Sequence, residues 1–232
     1  MNANLNNEVT VIAVHGAWAD GSSWNKVTAP LLRRGLKVVA AQIPLTSFEA
    51  DVAVVRHLLK AHTGPVVLAG HSYGAAVITA AGAGAANVKS LVYVAGIVPG
   101  EGEAVGQIFM RAAPHAAAPQ LSPDADGLLW VSAADFANAI AQDASAEEHA
   151  LMAATQKPIA AACLGVPLGK AAWSEKPSWF LIAENDRMVA PETQRFTAER
   201  AGSKVLALPV DHMALASAAS AVAELIIEAA AA

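Results

Sequence analysis

Ser72 stands in the pentapeptide Gly70-His71-Ser72-Tyr73-Gly74, between the apolar run Val66-Val67-Leu68-Ala69 and a second run, rich in Ala, Val and Ile, that can be helical. A serine hydroxyl is a weak nucleophile at neutral pH and needs an adjacent base. Gly-x-Ser-x-Gly between a strand and a helix is the setting in which a sharp, strained turn points that hydroxyl out of a sheet. Gly70 and Gly74 then have a steric role, because strand and helix nearly touch there and a Cβ at either position would collide. The helix N-terminus behind Ser72 would place partial positive charge where an oxyanion forms.

Of the seven histidines, His212 is the candidate base. It follows the last apolar run and opens the final helical stretch, so it can reach the turn. His71 is fixed in the turn itself, His57 and His62 belong to a solvated helix face and its end, and His115 and His149 fall in a long insertion. The base needs a carboxylate to fix its tautomer and to stabilise the imidazolium. Asp186 lies between Ser72 and His212 in the chain, in the order Ser, Asp, His expected for such a turn. Glu184 is the runner-up; Asp211 is adjacent to His212 and poorly placed to bridge to it. An oxyanion needs two N–H donors. The candidates are the backbone of Tyr73 and that of Ala17, in the loop His15-Gly16-Ala17-Trp18. Trp18 either lines an acyl pocket or packs under the insertion.

The elements that must position these residues read as an alternation. Strands are expected at about 9–14, 36–41, 65–69, 88–95, 178–183 and 204–208. Helices are expected at about 24–34, 47–61, 73–86, 191–201 and 213–231, with Ser47 as an N-cap and Pro191 in a first turn. This pattern gives an α/β chain, a doubly wound and mainly parallel sheet of about six strands. Ligands in such sheets bind beyond the carboxyl ends of the strands, where His15–Trp18, Ser72, Glu184–Met188 and His212 all fall. Residues 1–96 and 177–232 are expected to form the core. Residues 97–176, rich in Ala, Pro and Gly, are too long for a simple connection and are expected to form a helical cap after the fourth strand, with helices near 135–143 and 146–154.

The bulk numbers exclude several classes. With 55% hydrophobic and 15% charged residues, the chain of 232 residues folds into a sizeable core. A net charge of -5 leaves no basic footprint for nucleic acid and argues against an anionic membrane surface. The single cysteine, Cys163, rules out an internal disulfide and a cysteine-rich metal site, and reads as a small buried apolar residue. The N-terminus shows no signal peptide and no run is long and apolar enough to span a bilayer, so a cytoplasmic protein is expected.

The chain is identified by these pieces as resembling the α/β-hydrolase superfamily. They are Val14-His15-Gly16-Ala17-Trp18, Gly70-His71-Ser72-Tyr73-Gly74, Asp186 with Pro191 and Gln194-Arg195-Phe196, and Asp211-His212-Met213. The closer resemblance is to the compact branch of bacterial esterases, pyrethroid-hydrolase-like enzymes, plant methyl esterases and hydroxynitrile lyases. It implies Ser72, Asp186 and His212 in acyl transfer to water, and no metal or organic cofactor. The expected partner is a small or medium apolar ester, with a homodimer as the other candidate assembly. Substrate would meet Gly16, Trp18, Met213 and, in the cap, Trp130 among Phe109, Met110, Leu128, Leu129, Phe136 and Met152. The branch's lyases carry a lysine after the histidine and a threonine after the first-loop histidine; Met213 and Gly16 stand there instead, which fits the esterase pattern. Tyr73 departs from the usual Leu or Met, and its ring could narrow the pocket or add a hydroxyl. The same residues are compatible with a ligand-binding or receptor-like protein, a lactonase, a cofactor-free perhydrolase or haloperoxidase, or C–C bond cleavage.

Overall fold

Residues 9–232 are described by a computed structural model; the segment on which the signal-peptide expectation falls lies outside the described residues. The chain begins β1 (Thr10–Val14), α1 (Asn25–Arg33), β2 (Lys37–Ala41), α2 (Phe48–Ala61), β3 (Val66–His71), α3 (Tyr73–Ala81) and β4 (Val88–Val94). It continues through α4 (Val105–Phe109), β5 (Leu128–Leu129), α5 (Ala133–Asp135), α6 (Ala146–Thr155) and β6 (Ile159–Ala160). It closes with β7 (Ser178–Ala183), α7 (Pro191–Arg200), β8 (Lys204–Leu208), α8 (Ala214–Ser217) and α9 (Ala219–Ala231). Six strands form one parallel sheet in the order β2-β1-β3-β4-β7-β8.

Alternation along each strand divides the core into two layers. Ile12, Leu68, Tyr93 and Phe180 pack on the face covered by α2, α3 and much of the 97–176 segment. Val11, Val67, Val92 and Trp179 pack on the other face, with α1 and α9. Each large aliphatic side chain so buried contributes about 1.5–3 kcal/mol. β1 and β3 are buried along their whole length, which is why their sequences are continuous apolar runs rather than alternating ones.

Helix ends follow local chemistry. Ser47 Oγ accepts the Ala50 N–H at 3.1 Å, with Glu49 and Asp51 in the first turn of α2. Gly35, at φ 82°, ends α1 in the left-handed conformation that glycine adopts without strain. Among the described residues, four non-glycine residues share positive φ: Trp18, Leu45, Ser72 and Ala95. They follow β1, β2, β3 and β4 respectively, so backbone strain is concentrated along the carboxyl edge of the sheet.

Several expectations on length are corrected. α3 stops at Ala81 rather than near 86, and the final helix is two helices because Ala218 (φ -133°, ψ 33°) leaves the helical region. That break lets α8 bury Ala214 and Leu215 while α9 turns its own apolar face onto β4 and β7. The 97–176 segment contributes no strand to the parallel sheet. It does contain a short antiparallel pair, β5 with β6, too brief for any period to announce. In place of a helix over 135–143 there are three residues of α5 and one π-helical turn, Phe136–Ile140.

The contact of α3 with the ends of β1 and β3 predicts a sharp steric test. A Cβ at Gly74 would lie 2.5 Å from the carbonyl oxygens of Val14 and His15, backbone atoms that cannot step aside. Gly74→Ala is expected to cost about 3 kcal/mol or more and to lower the midpoint of thermal unfolding by roughly 10 °C. Gly169→Ala, where a Cβ would meet nothing within 4 Å, is the control and should stay within about 0.5 kcal/mol of the parent.

Candidate active site

Ser72 joins β3 to α3 with φ 52° and ψ -121°, a conformation that costs a serine about 1–3 kcal/mol. The backbone over-determines it. Its N–H donates to the Val94 carbonyl at 3.1 Å, and its carbonyl accepts from Ala75 N–H at 3.0 Å and Ile97 N–H at 3.1 Å. The hydroxyl is thereby aimed at the loop after β8. Ser72 Oγ lies 2.9 Å from His212 Nε2, and His212 Nδ1 lies 2.7 Å from Asp186 Oδ2. A ring nitrogen facing a carboxylate carries the proton, which leaves Nε2 as an acceptor for the serine proton.

Asp186 is buried and its carboxylate is fully used. Oδ1 accepts the N–H groups of Met188 and Val189, each at 2.8 Å, and Oδ2 accepts Gln194 Nε2–H at 2.7 Å besides His212. Gln194 is itself buried; it donates to the Val189 carbonyl at 2.9 Å and accepts Ala183 N–H at 3.0 Å. Its part in holding Asp186 was not foreseen. An uncharged amide on the inner face of α7, close after a candidate acid, is the signal that could have found it. Glu184 is paired outward with Arg195. Asp211 turns away from the ring, bonded to Asp143 N–H at 3.0 Å and Ser217 Oγ at 2.7 Å. Neither competes with Asp186.

Two more histidines are structural supports. His15 Nε2 accepts Ile43 N–H at 3.3 Å, so Nδ1 carries the proton and donates to the Gly16 carbonyl at 2.8 Å, bracing the loop after β1. His71 Nε2 donates to the His212 carbonyl at 2.8 Å, and the two rings are 4.9 Å apart. Burial pushes His15 down to about 4 and His71 down to about 3, so both stay neutral beside the site.

The loop after β1 lies against Ser72. A Cβ at Gly16 would be 3.0 Å from Ser72 Cβ and 3.1 Å from His71 Nδ1. The glycine therefore permits the close approach of this loop to Ser72, and it is not among the residues that line the cavity beside His212. Among the described residues, the amides of Ala17 and Tyr73 have no hydrogen-bond acceptor. Such donors can receive an oxyanion. The Tyr73 side chain is also a correction. It points away from the cavity and is buried, with its hydroxyl on Asp51 Oδ2 at 2.6 Å, while Asp51 Oδ1 accepts Leu45 N–H at 2.7 Å.

Beside His212 opens a cavity of about 240 Å³. Its apolar wall includes Trp18, Phe136, Ile140, Met152, Met213 and Leu215. Lys26 on α1 and Glu148 on α6 close one side of its rim with an ion pair of 2.6 Å. Trp18 does both things proposed for it, since its Nε1–H donates to the Leu129 carbonyl at 2.9 Å while its ring lines the cavity. Trp130 does not line this cavity. It is half exposed, with Nε1–H on Asp124 at 3.0 Å, because the β5–β6 pair turns Leu129 inward and its neighbour outward. Met110 is likewise exposed, whereas Phe136 and Met152 reach the cavity. Among the described residues, no helix is long and apolar enough to cross a membrane.

Residues 11–225 match the family model described as "Alpha/beta hydrolase family". Polyneuridine aldehyde esterase superposes with a TM-score of 0.83 at 17% identity, covering 95% of this chain and 98% of that one. A pyrethroid hydrolase from Sphingobium faniae JZ-2 gives 0.82 at 21% identity, covering 97% and 98%. The methylesterase MES16 from Arabidopsis gives 0.77 at 17% identity, covering 96% and 99%. These identities establish likeness of fold. No curated protein matches the chain.

The buried neutral histidines predict a stability that depends on pH. The unfolded chain takes up protons on them near pH 6.5, and the folded chain does so only near 4 and 3. Stability is therefore complete above about pH 6.5 and is lost as pH falls toward the folded values. At pH 5 each histidine should cost on the order of 2 kcal/mol. Asp51 and Asp211, raised by burial, act in the opposite sense and offset part of this. Thermal melts at pH 7, 6 and 5 should show a falling midpoint, and His15→Gln, which cannot titrate, should flatten the decline.

Proposed function

We propose that this chain, which belongs to the alpha/beta hydrolase family, hydrolyses small, neutral, fairly apolar carboxylic esters through an acyl-enzyme on Ser72. The observation that carries the reading is the continuous Ser72–His212–Asp186 hydrogen-bond chain at a strained turn beside an apolar cavity. In the first half-reaction Ser72 Oγ bonds to the ester carbonyl carbon as its proton passes to His212 Nε2. The carbonyl oxygen becomes an oxyanion, received by the N–H groups of Ala17 and Tyr73. The C–O bond to the alcohol then breaks, and the leaving alkoxide takes the proton from His212. Water repeats the sequence on the acyl-enzyme, giving the acid and restoring Ser72.

Asp186 holds the tautomer and offsets the charge of the imidazolium. Its four hydrogen bonds fix the carboxylate in place beside the ring. The cavity, at about 240 Å³, lies below the ~300–1,000 Å³ common for drug-sized ligands, which supports a small substrate. Its wall of Trp18, Met213, Phe136 and Met152 supports an apolar one. Cyanohydrin cleavage would gain from a cation beside the departing cyanide. The residue after His212 is Met213, and Lys26 on the rim is already paired with Glu148, so the geometry favours ester hydrolysis.

Turnover of p-nitrophenyl acetate and butyrate is the direct test, with labelling by a fluorophosphonate to count active serines. Ser72→Ala should abolish labelling and, like His212→Ala, lower kcat by a factor on the order of 10⁴ or more, the double variant being little worse than either. Asp186→Asn should also cost a large factor, and Glu184→Gln little. Absence of both turnover and labelling in the parent would favour the receptor-like alternative. Enzyme-dependent cyanide release from mandelonitrile, lost in Ser72→Ala and without ester turnover, would favour a lyase.

A further inference from the structure

The immediate neighbours of His212 and Asp186 grip one short stretch of the 97–176 segment. Met213 N–H donates to the Ile140 carbonyl at 3.1 Å, and Asp211 Oδ2 accepts Asp143 N–H at 3.0 Å. From the other loop, Arg187 Nη1 donates to the Asn138 carbonyl at 2.8 Å, and the Asn185 carbonyl accepts Gln142 Nε2–H at 2.7 Å. Residues 185, 187, 211 and 213 thus clasp residues 138–143 from both sides. The clasped stretch overlaps the π-helical turn, Phe136–Ile140, which is closed by Ala141 N–H on the Phe136 carbonyl at 2.7 Å. Such turns are rare and recur at functional sites. Phe136 and Ile140 from the same turn line the cavity.

Asp211 is the member of this clasp with a side chain at its centre. It is 1% exposed, and its second oxygen accepts Ser217 Oγ–H at the end of α8, the helix that follows His212. One carboxylate therefore ties the cavity wall on one side to the helix behind the base on the other. A buried carboxylate is tolerated here because both oxygens have donors.

We propose that Asp211 is a positioning residue for the base: by holding Asp143 N–H and Ser217 Oγ together, it fixes the backbone of His212 against the 138–143 stretch. The pose of the imidazole over Ser72 Oγ is then set by how the cavity wall packs. The inference rests on the acyl-transfer reading of Ser72, His212 and Asp186. The distances it protects are the 2.9 Å and 2.7 Å contacts of the ring, and displacement of about 1 Å in such a set can cost roughly a hundredfold in rate. Asparagine can replace aspartate in this role. Its Oδ1 can accept Asp143 N–H and its Nδ2 can donate to Ser217 Oγ, whose hydrogen then turns to the Met213 carbonyl 3.3 Å away. Alanine can do neither.

The experiment compares the parent, Asp211→Ala, Asp211→Asn and Gln142→Ala with p-nitrophenyl acetate, reading kcat and KM separately, together with circular dichroism and the rate of fluorophosphonate labelling. Asp211→Ala is expected to lower kcat about tenfold or more while KM changes less than about threefold, with labelling slowed in parallel. Asp211→Asn should restore kcat to within about threefold of the parent. Gln142→Ala, which loosens the same stretch from the Asn185 carbonyl, should lower kcat at unchanged KM. Parental kcat in Asp211→Ala, or equal damage in a folded Asp211→Asn, overturns the proposal, the latter because it would assign the effect to charge. Should Asp211→Ala fail to fold, near-parental Asp211→Asn with reduced kcat in Gln142→Ala supports the proposal, and unchanged kcat in Gln142→Ala overturns it. A parent that neither turns over nor labels defeats the acyl-transfer reading as well; a parent that does both while Asp211→Ala is indifferent defeats only the positioning role.

Discussion

The tight approach of α3 to the ends of β1 and β3 is the constraint on which the site depends. Gly70 and Gly74 allow backbones to meet at distances no Cβ would survive, 2.6 Å and 2.5 Å from the nearest atoms. That contact forces the chain to turn within one residue, and Ser72 takes the positive φ that results. The strain is offset by three backbone hydrogen bonds to Val94, Ala75 and Ile97. The same contact lays the His15–Trp18 loop beside the serine.

Electrostatics around this point are arranged by burial. Asp186 is held among four donors, and the two further histidines nearest the site are held neutral by desolvation. Their neutrality matters because His212 must take up charge during the proposed reaction, and a second imidazolium 4.9 Å away would oppose it. His71 instead contributes a hydrogen bond to the His212 backbone, and His15 contributes one to the loop after β1.

The cavity is built from two bodies of chain with different physics. The sheet side contributes Trp18 from the loop after β1, Met213 from the loop after β8 and Leu215 from α8. The 97–176 side contributes Phe136, Ile140 and Met152 from helical pieces of low amphipathic regularity. The two are joined by hydrogen bonds near His212 and by the Lys26–Glu148 ion pair at the rim. An exposed pair of that kind contributes about 0–1 kcal/mol, so the rim is the weaker joint and the side near His212 the firmer one.

Local rules made much of this legible in the amino-acid sequence. Strand runs, the glycines about Ser72 and the order Ser72, Asp186, His212 depend on near neighbours and on strand polarity, and these are written in residue type and spacing. The bounds of β7 and β8 and the Ser47 cap follow from the same short-range chemistry. What only the tertiary structure decided lies in contacts between residues far apart in the chain. Gln194 on Asp186, His71 on the His212 carbonyl, Tyr73 on Asp51 and Asp211 on Asp143 each join separate elements, and no local pattern encodes which partner a polar side chain will meet. Trp130 faced outward and a π turn replaced a helix for a related reason. In an alanine-rich segment many registers bury similar area, so packing against the sheet and the loops of Asp186 and His212, rather than periodicity, selects one.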